Sequence, residues 1–99
     1  MAAFAGYELP IQYRGVVEEH RACREAAALF DVSHMGRLRF EGTGAAELLD
    51  RLLSRRVTDL PVGGVRYALL CNDTGGVVDD TLVSHVETPS GTSYYLLVV

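Results

Sequence analysis

The alternation of apolar and polar residues in the second half of the chain predicts three strands joined by short turns. The strands are expected at residues 66–71, 77–86 and 94–99. The first two are separated by Asn-Asp-Thr-Gly-Gly at 72–76, where glycine supplies positive φ and the Asn and Asp side chains bond nearby backbone. The second and third are separated by 87–92, which closes a hairpin.

Apolar residues at helical spacing predict two helices earlier in the chain, at 16–30 and 45–54. His20 falls on the apolar stripe of the first helix, where we expect a packed histidine. A short strand with alternating Leu38 and Phe40 lies between the helices, and residues 4–13 suit an irregular arm or an edge strand. This order predicts an α+β fold, an antiparallel sheet with two helices on one face.

Two adjacent aspartates in strand 77–86 must point to opposite faces of the sheet, because side chains alternate along a strand. Asp80 shares its face with Val78, Leu82 and Val86, so we expect this more apolar face to be the buried one. A carboxylate there needs a partner or water. Asp80 is therefore the functional candidate and Asp79 the expected surface residue. The alternative is that Asp80 is a turn-flanking residue bonded to backbone N–H groups.

Composition narrows the classes of function that the chain can serve. A chain of 99 residues with 48% hydrophobic and 22% charged residues suits one small globular domain. Its net charge is −4 with no basic stripe, so we expect no nucleic-acid partner. No apolar run approaches the ~20 residues of a membrane helix, and we expect no membrane association. The apolar run 94–99 has no turn after it, so we expect the chain to be a piece of a longer protein.

Few side chains besides Asp80 suggest chemistry. Cys23 and Cys71 match no metal or redox spacing, which favours reduced thiols in a cytoplasm. The three histidines lie on different predicted elements, so we expect no metal site. Tyr67 could stack on a flat ligand or belong to the core. Met35 could line a pocket with its thioether or fill the core.

Four segments resemble those of one enzyme family. They are F-A-G-Y-E-L-P-I-Q-Y at 4–13, E-H-x-A-x-R at 19–24, F-D-V-S-H-M-G at 30–36 and C-N-D-T-G-G-V-V-D-D at 71–80. Together they resemble the folate-binding aminomethyltransferases, the T-proteins of the glycine cleavage system. The resemblance implies that residues 1–99 are the N-terminal, incomplete part of the folate-binding domain. It also implies transfer of a methylene unit from the aminomethylated lipoyl arm of H-protein to tetrahydrofolate, with release of ammonia.

The same resemblance implies roles for three residues. Asp80, the second aspartate of G-G-V-V-D-D, corresponds to the catalytic carboxylate, and Met35, Tyr67 and Asp80 would line the folate cavity. Four residues depart from the family pattern. Arg39 stands where the family is commonly aliphatic, Ser84 stands where some members are aromatic, and Tyr7 and Leu9 replace a common Trp and Met. We expect Arg39 either to pair with a carboxylate of the ligand or of the missing domains, or to point to solvent. The alternative function is a folate-binding module, with a regulatory or assembly role and no transferase activity.

Overall fold

A computed structural model describes all residues 1–99, and the chain divides into two compact units, Met1–Met35 and Gly36–Val99. The first contains strands β1 (Ala2–Phe4) and β2 (Tyr7–Leu9) and helix α1 (Val16–Glu25). The second contains β3 (Arg37–Phe40), helix α2 (Ala45–Leu52), β4 (Val65–Cys71), β5 (Val77–Glu87) and β6 (Ser93–Val98). The predicted α+β class and antiparallel strands are confirmed.

The first unit begins with a tight hairpin, so the edge-strand alternative describes residues 7–9 and the irregular-arm alternative does not. β1 and β2 pair antiparallel, with Phe4 opposite Tyr7. Ala5 and Gly6 between them both have positive φ, of 48° and 82°. Two central residues with positive φ are typical of a type I′ turn, whose twist matches that of the paired strands. The hairpin is therefore closed by the chain's own local geometry.

Helix α1 is anchored at its start and shorter than its sequence pattern predicts. Glu19 accepts hydrogen bonds from the backbone N–H groups of Arg14 and Tyr13, at 2.7 and 2.6 Å, and these bonds lower the pKa of its carboxyl. The helix ends at Glu25 instead of continuing to residue 30, and it buries no residue. The expectation that His20 is packed is wrong, because its side chain is exposed. Short helices depend on tertiary packing, and α1 has no buried residue whose packing would stabilise a further turn.

The second unit is a four-stranded antiparallel sheet in the order β3-β6-β5-β4. Helix α2 and the loop after it pack on one face of this sheet, which we call the covered face. The buried core on that side consists of Leu49, Leu53, Val57, Leu60, Ala68, Val83 and Leu97. Asp50 fixes the loop, because its carboxylate accepts hydrogen bonds from the backbone N–H groups of Val57 and Thr58 and from the Thr58 hydroxyl.

The opposite face, which we call the open face, carries Tyr67 and Leu69 of β4, Asp80 and Leu82 of β5, and Leu96 and Val98 of β6. The expectation that this more apolar face is buried is wrong, since Leu82 is 42% exposed whereas Val83 on the covered face is fully buried. Polar residues of the covered face find partners there. Thr81 donates to the carbonyl of Ala68 at 3.1 Å.

Candidate functional site

Two of the residues predicted to form the site lie side by side on the open face. The Tyr67 hydroxyl donates a hydrogen bond to Oδ2 of Asp80 across an O–O distance of 3.2 Å. Asp80 pairs with Leu69, the second residue after Tyr67 on the neighbouring strand, so the two side chains are diagonal neighbours. No other side chain hydrogen-bonds the Asp80 carboxylate, and its Oδ1 is free. The structure thus brings Tyr67 and Asp80 together.

Local sequence chemistry sets the register that makes this contact. In the turn between β4 and β5, Oδ1 of Asn72 accepts hydrogen bonds from the backbone N–H groups of Thr74 and Gly76, at 3.1 and 2.7 Å. Gly75 takes the positive φ of 85° that this turn requires. One extra β5 residue, at the Leu70/Cys71 irregularity, then shifts the pairing. Beyond this bulge, Leu69 pairs with Asp80.

Strand β4 is held from its outer edge as well. Ser54, just after α2, accepts a hydrogen bond from the Leu69 N–H through its hydroxyl oxygen at 2.8 Å, and its own N–H donates to the Leu69 carbonyl at 2.9 Å. Ala68, the residue next to Tyr67, is buried in the core on the covered face. Tyr67 therefore projects from a strand that is fixed on both sides.

The surroundings of the pair are apolar and open. The Tyr67 side chain is 54% exposed, and Leu69 and Leu82 are the residues directly opposite Asp80 and Tyr67 in the pairing. Partial desolvation, followed by the charge of Asp80 and its hydrogen bond, raises the pKa of the Tyr67 hydroxyl above its usual 10.0. A half-exposed ring beside a carboxylate suits a flat heteroaromatic molecule that carries N–H donors. The free oxygen can accept a proton or stabilise a cation.

Asp79 and Asp80 differ in a way that alternation alone did not predict. Asp79 is half-buried towards the covered face, and its Oδ1 accepts a hydrogen bond from the Asp80 backbone N–H at 2.9 Å. Asp80 is exposed. The interpretation of Asp79 as the surface residue is therefore wrong. A tyrosine side chain donates to the Asp80 carboxylate, and no backbone N–H group does.

Arg39 and Ser84, two of the residues that depart from the family pattern, also lie on the open face. The guanidinium of Arg39 lies 3.9 Å from the centroid of the Tyr94 ring and forms an ion pair with Glu41. A cation over an aromatic face gains electrostatic stabilisation. Arg39 thus has local partners of its own. Ser84 pairs with Leu96 of β6 and is half-buried.

Met35, the third predicted site residue, ends the first unit, and the structure describes it only there. It is half-buried, and its backbone N–H donates to the carbonyl of Val32 at 3.0 Å. Next to it, His34 makes an edge-to-face contact with Phe4, with ring centroids 5.0 Å apart. Nδ1 of His34 is buried without a hydrogen-bond partner. The role of Met35 stays a prediction.

The potential metal ligands and the thiols of the chain are dispersed. The structure brings together no group of three His, Cys, Asp or Glu side chains that could hold a metal ion. Cys23 and Cys71 are both free and exposed. No helix has the length and apolar character needed to cross a membrane.

Sequence reasoning singled out Tyr67 and Asp80 but missed the bond between them. The signal was present in the spacing, because folding two strands about the turn at 72–76 places Tyr67 close to Asp80 in the antiparallel pair. It also missed Ser54, whose contact with β4 joins residues 15 positions apart and has no local sequence pattern.

A family model and the matching curated relatives agree on the family of this chain. The model of the GCVT N-terminal domain family matches residues 1–98. The aminomethyltransferase of Symbiobacterium thermophilum is 48% identical over 87 residues, which is 88% of this chain and 23% of that protein. The aminomethyltransferase of Phocaeicola vulgatus is 46% identical over 99 residues, all of this chain and 26% of that protein. No solved structure matches the chain.

This chain therefore spans about a quarter of the length of the curated relatives that it matches. The family model covers nearly the whole chain, and both relatives have the same name. The relatives that the chain matches are named aminomethyltransferase. The chain belongs to the GCVT N-terminal domain family.

Proposed function

We propose that this chain forms part of the folate site of a tetrahydrofolate-dependent aminomethyltransferase of the glycine cleavage system. The observation that carries the proposal is the Tyr67–Asp80 pair on an apolar, exposed sheet face. Membership of the family supports it. Because the relatives are about four times as long, we assign the reaction to a complete protein and expect this chain alone to be inactive.

The proposed reaction moves one carbon without any change of oxidation state. The donor is the aminomethyl group on a sulfur of the dihydrolipoyl arm of lipoylated H-protein, and the acceptor is tetrahydrofolate. Two carbon–nitrogen bonds form to the acceptor, while the carbon–sulfur bond and the original carbon–nitrogen bond break. The two protons displaced from the acceptor nitrogens end on the departing ammonia and on the lipoyl sulfur.

Asp80 has the properties that this chemistry requires of a protein group. Its Oδ1 is free, it is exposed on the open face, and the side chains around it are apolar. A carboxylate in such a place can take a proton from an attacking nitrogen and can stabilise the positive charge that develops on the transferred carbon. We assign Asp80 as the catalytic residue.

Tyr67 and Met35 are proposed to bind the acceptor. The Tyr67 ring offers a flat, half-exposed surface beside Asp80, and the Met35 thioether can contact an aromatic ring. We also place the reaction in the cytoplasm, in agreement with the two free cysteines.

The test is ammonia release by the complete protein from aminomethylated H-protein, with and without tetrahydrofolate. We expect release that depends on both substrates and that falls by about 10²–10⁴-fold in Asp80→Asn. Binding of tetrahydrofolate without ammonia release would instead identify a folate-binding module. Release that is unchanged in Asp80→Asn would remove Asp80 from the mechanism.

A further inference from the structure

The hydroxyl and the ring of Tyr67 have separable contacts. The ring is the half-exposed surface described above, whereas the hydroxyl points to Oδ2 of Asp80 at 3.2 Å. A residue whose only task is to stack on a flat ligand does not need this hydroxyl. The hydrogen bond therefore calls for its own explanation.

An aspartate side chain on an exposed strand face has few restraints on its orientation. Its carboxylate can rotate about the Cβ–Cγ bond, because this terminal torsion is broad. The neighbouring open-face residues, Leu69 and Leu82, have no polar side-chain atoms to direct it. The Tyr67 hydroxyl is the one side-chain donor that reaches the carboxylate. The orientation of Asp80 in this structure therefore depends on Tyr67.

We propose that Tyr67 is a positioning residue that holds Oδ2 of Asp80 and leaves Oδ1 as the oxygen that receives the proton. This inference rests on the proposed function and adds a division of labour between the two carboxylate oxygens. The donor is on a rigid element, because Ala68 is buried beside it and Ser54 binds the next residue of β4. Groups fixed in this way keep reacting atoms aligned at little cost during the reaction.

The Tyr67 hydroxyl keeps its proton, and so remains a hydrogen-bond donor, at neutral pH. Partial desolvation and the nearby Asp80 charge raise its pKa above the usual 10.0, so it keeps its proton at neutral pH. Tyr67 is therefore uncharged while it donates to Asp80, and it does not compete for the proton that the carboxylate receives.

Tyr67→Phe in the complete protein isolates the hydroxyl, because the ring is retained. We expect kcat for ammonia release to fall by about 10-fold, a size typical of a misaligned catalytic group, while KM for tetrahydrofolate changes less than about 2-fold. Thermal unfolding should not change, since the hydroxyl is on an exposed face. Tyr95→Phe is the matched control, because it removes a hydroxyl that makes no hydrogen bond and lies on the covered face.

A double-mutant cycle separates positioning from binding. If Tyr67 acts through Asp80, then adding Tyr67→Phe to Asp80→Asn should cause no further loss, measured in single turnovers with enzyme in excess. Equal losses in both backgrounds, or a raised KM with unchanged kcat, would overturn the positioning role. Absence of ammonia release from the wild-type protein would overturn the proposed function itself, and the inference with it.

Discussion

Val83 of β5 and Val65 of β4 provide a direct test of which sheet face is covered. Val83 is fully buried in the core, whereas Val65 pairs with Ser84 on the open face and is 57% exposed. The same substitution, to alanine, removes two carbon atoms at each position, and both residues are paired with a neighbouring strand of the same sheet. A difference between the two variants therefore reports burial.

The expected magnitudes follow from burial. At about 0.8 kcal/mol for each buried carbon, Val83→Ala loses about 1.6 kcal/mol of transfer free energy, and the cavity raises this to roughly 2–3 kcal/mol. Scaling the same transfer term by the 57% exposure of Val65 leaves about 0.7 kcal/mol for Val65→Ala. Val83→Ala should thus destabilise the chain by about 2 kcal/mol more.

The assay is urea unfolding of the 99-residue chain and its two variants, followed by far-ultraviolet circular dichroism. The free energies of unfolding are compared with a common slope of free energy against urea concentration. Equal losses, or a larger loss for Val65→Ala, would refute the assignment of the covered and open faces. The argument that Asp80 faces a ligand would then fail as well.

Further expectations concern the loop after α2 and the thiols. The pKa of Asp50 lies below its usual 3.8, mainly because a backbone N–H of this loop donates to it. The ionised Asp50 carboxylate stabilises the folded chain above pH 3.8, and this stabilisation is lost as the pH falls through the lowered pKa of the folded state. The urea midpoint of Asp50→Asn should therefore fall less steeply than that of the wild type between about pH 5 and 2. Gly64→Ala should lower the Tm, because the new Cβ would lie 2.9 Å from the backbone carbonyl oxygen of Pro61, besides 2.8 Å from Cδ1 of Leu60. Cys23 and Cys71 should both react with a thiol reagent without denaturant, since both are exposed.

The elements of the second unit could be predicted from sequence because their signals are local. Asn72 and Gly75 lie within the turn that they shape, so this turn and its two strands were found. The strand bounds differ from the expectation by one residue at most. Helix α1 was predicted too long, because its apolar spacing continues past Glu25 while the structure supplies no packing to support it.

The covered face could not be predicted by counting apolar residues along β5. His85 hydrogen-bonds the carbonyl of Leu60, 25 positions away, and stacks on Tyr95 with ring centroids 4.4 Å apart. Such contacts allow a polar residue to be buried, and they exist only in the folded sheet. The apolar residues of the other face were left exposed around Asp80. The sequence correctly predicts that Asp80 shares a sheet face with Leu82, but the prediction that this face is buried is wrong.

The most direct test of the account compares two adjacent carboxylates on opposite faces of one strand. Asp80→Asn and Asp79→Asn change the same charge at neighbouring positions, and only Asp80 contacts Tyr67. Tetrahydrofolate-dependent ammonia release from aminomethylated H-protein is measured for both variants of the complete protein. The account predicts a loss of about 10²–10⁴-fold for Asp80→Asn and less than about 10-fold for Asp79→Asn. Retained release in Asp80→Asn, or an equal loss in both variants, would contradict it.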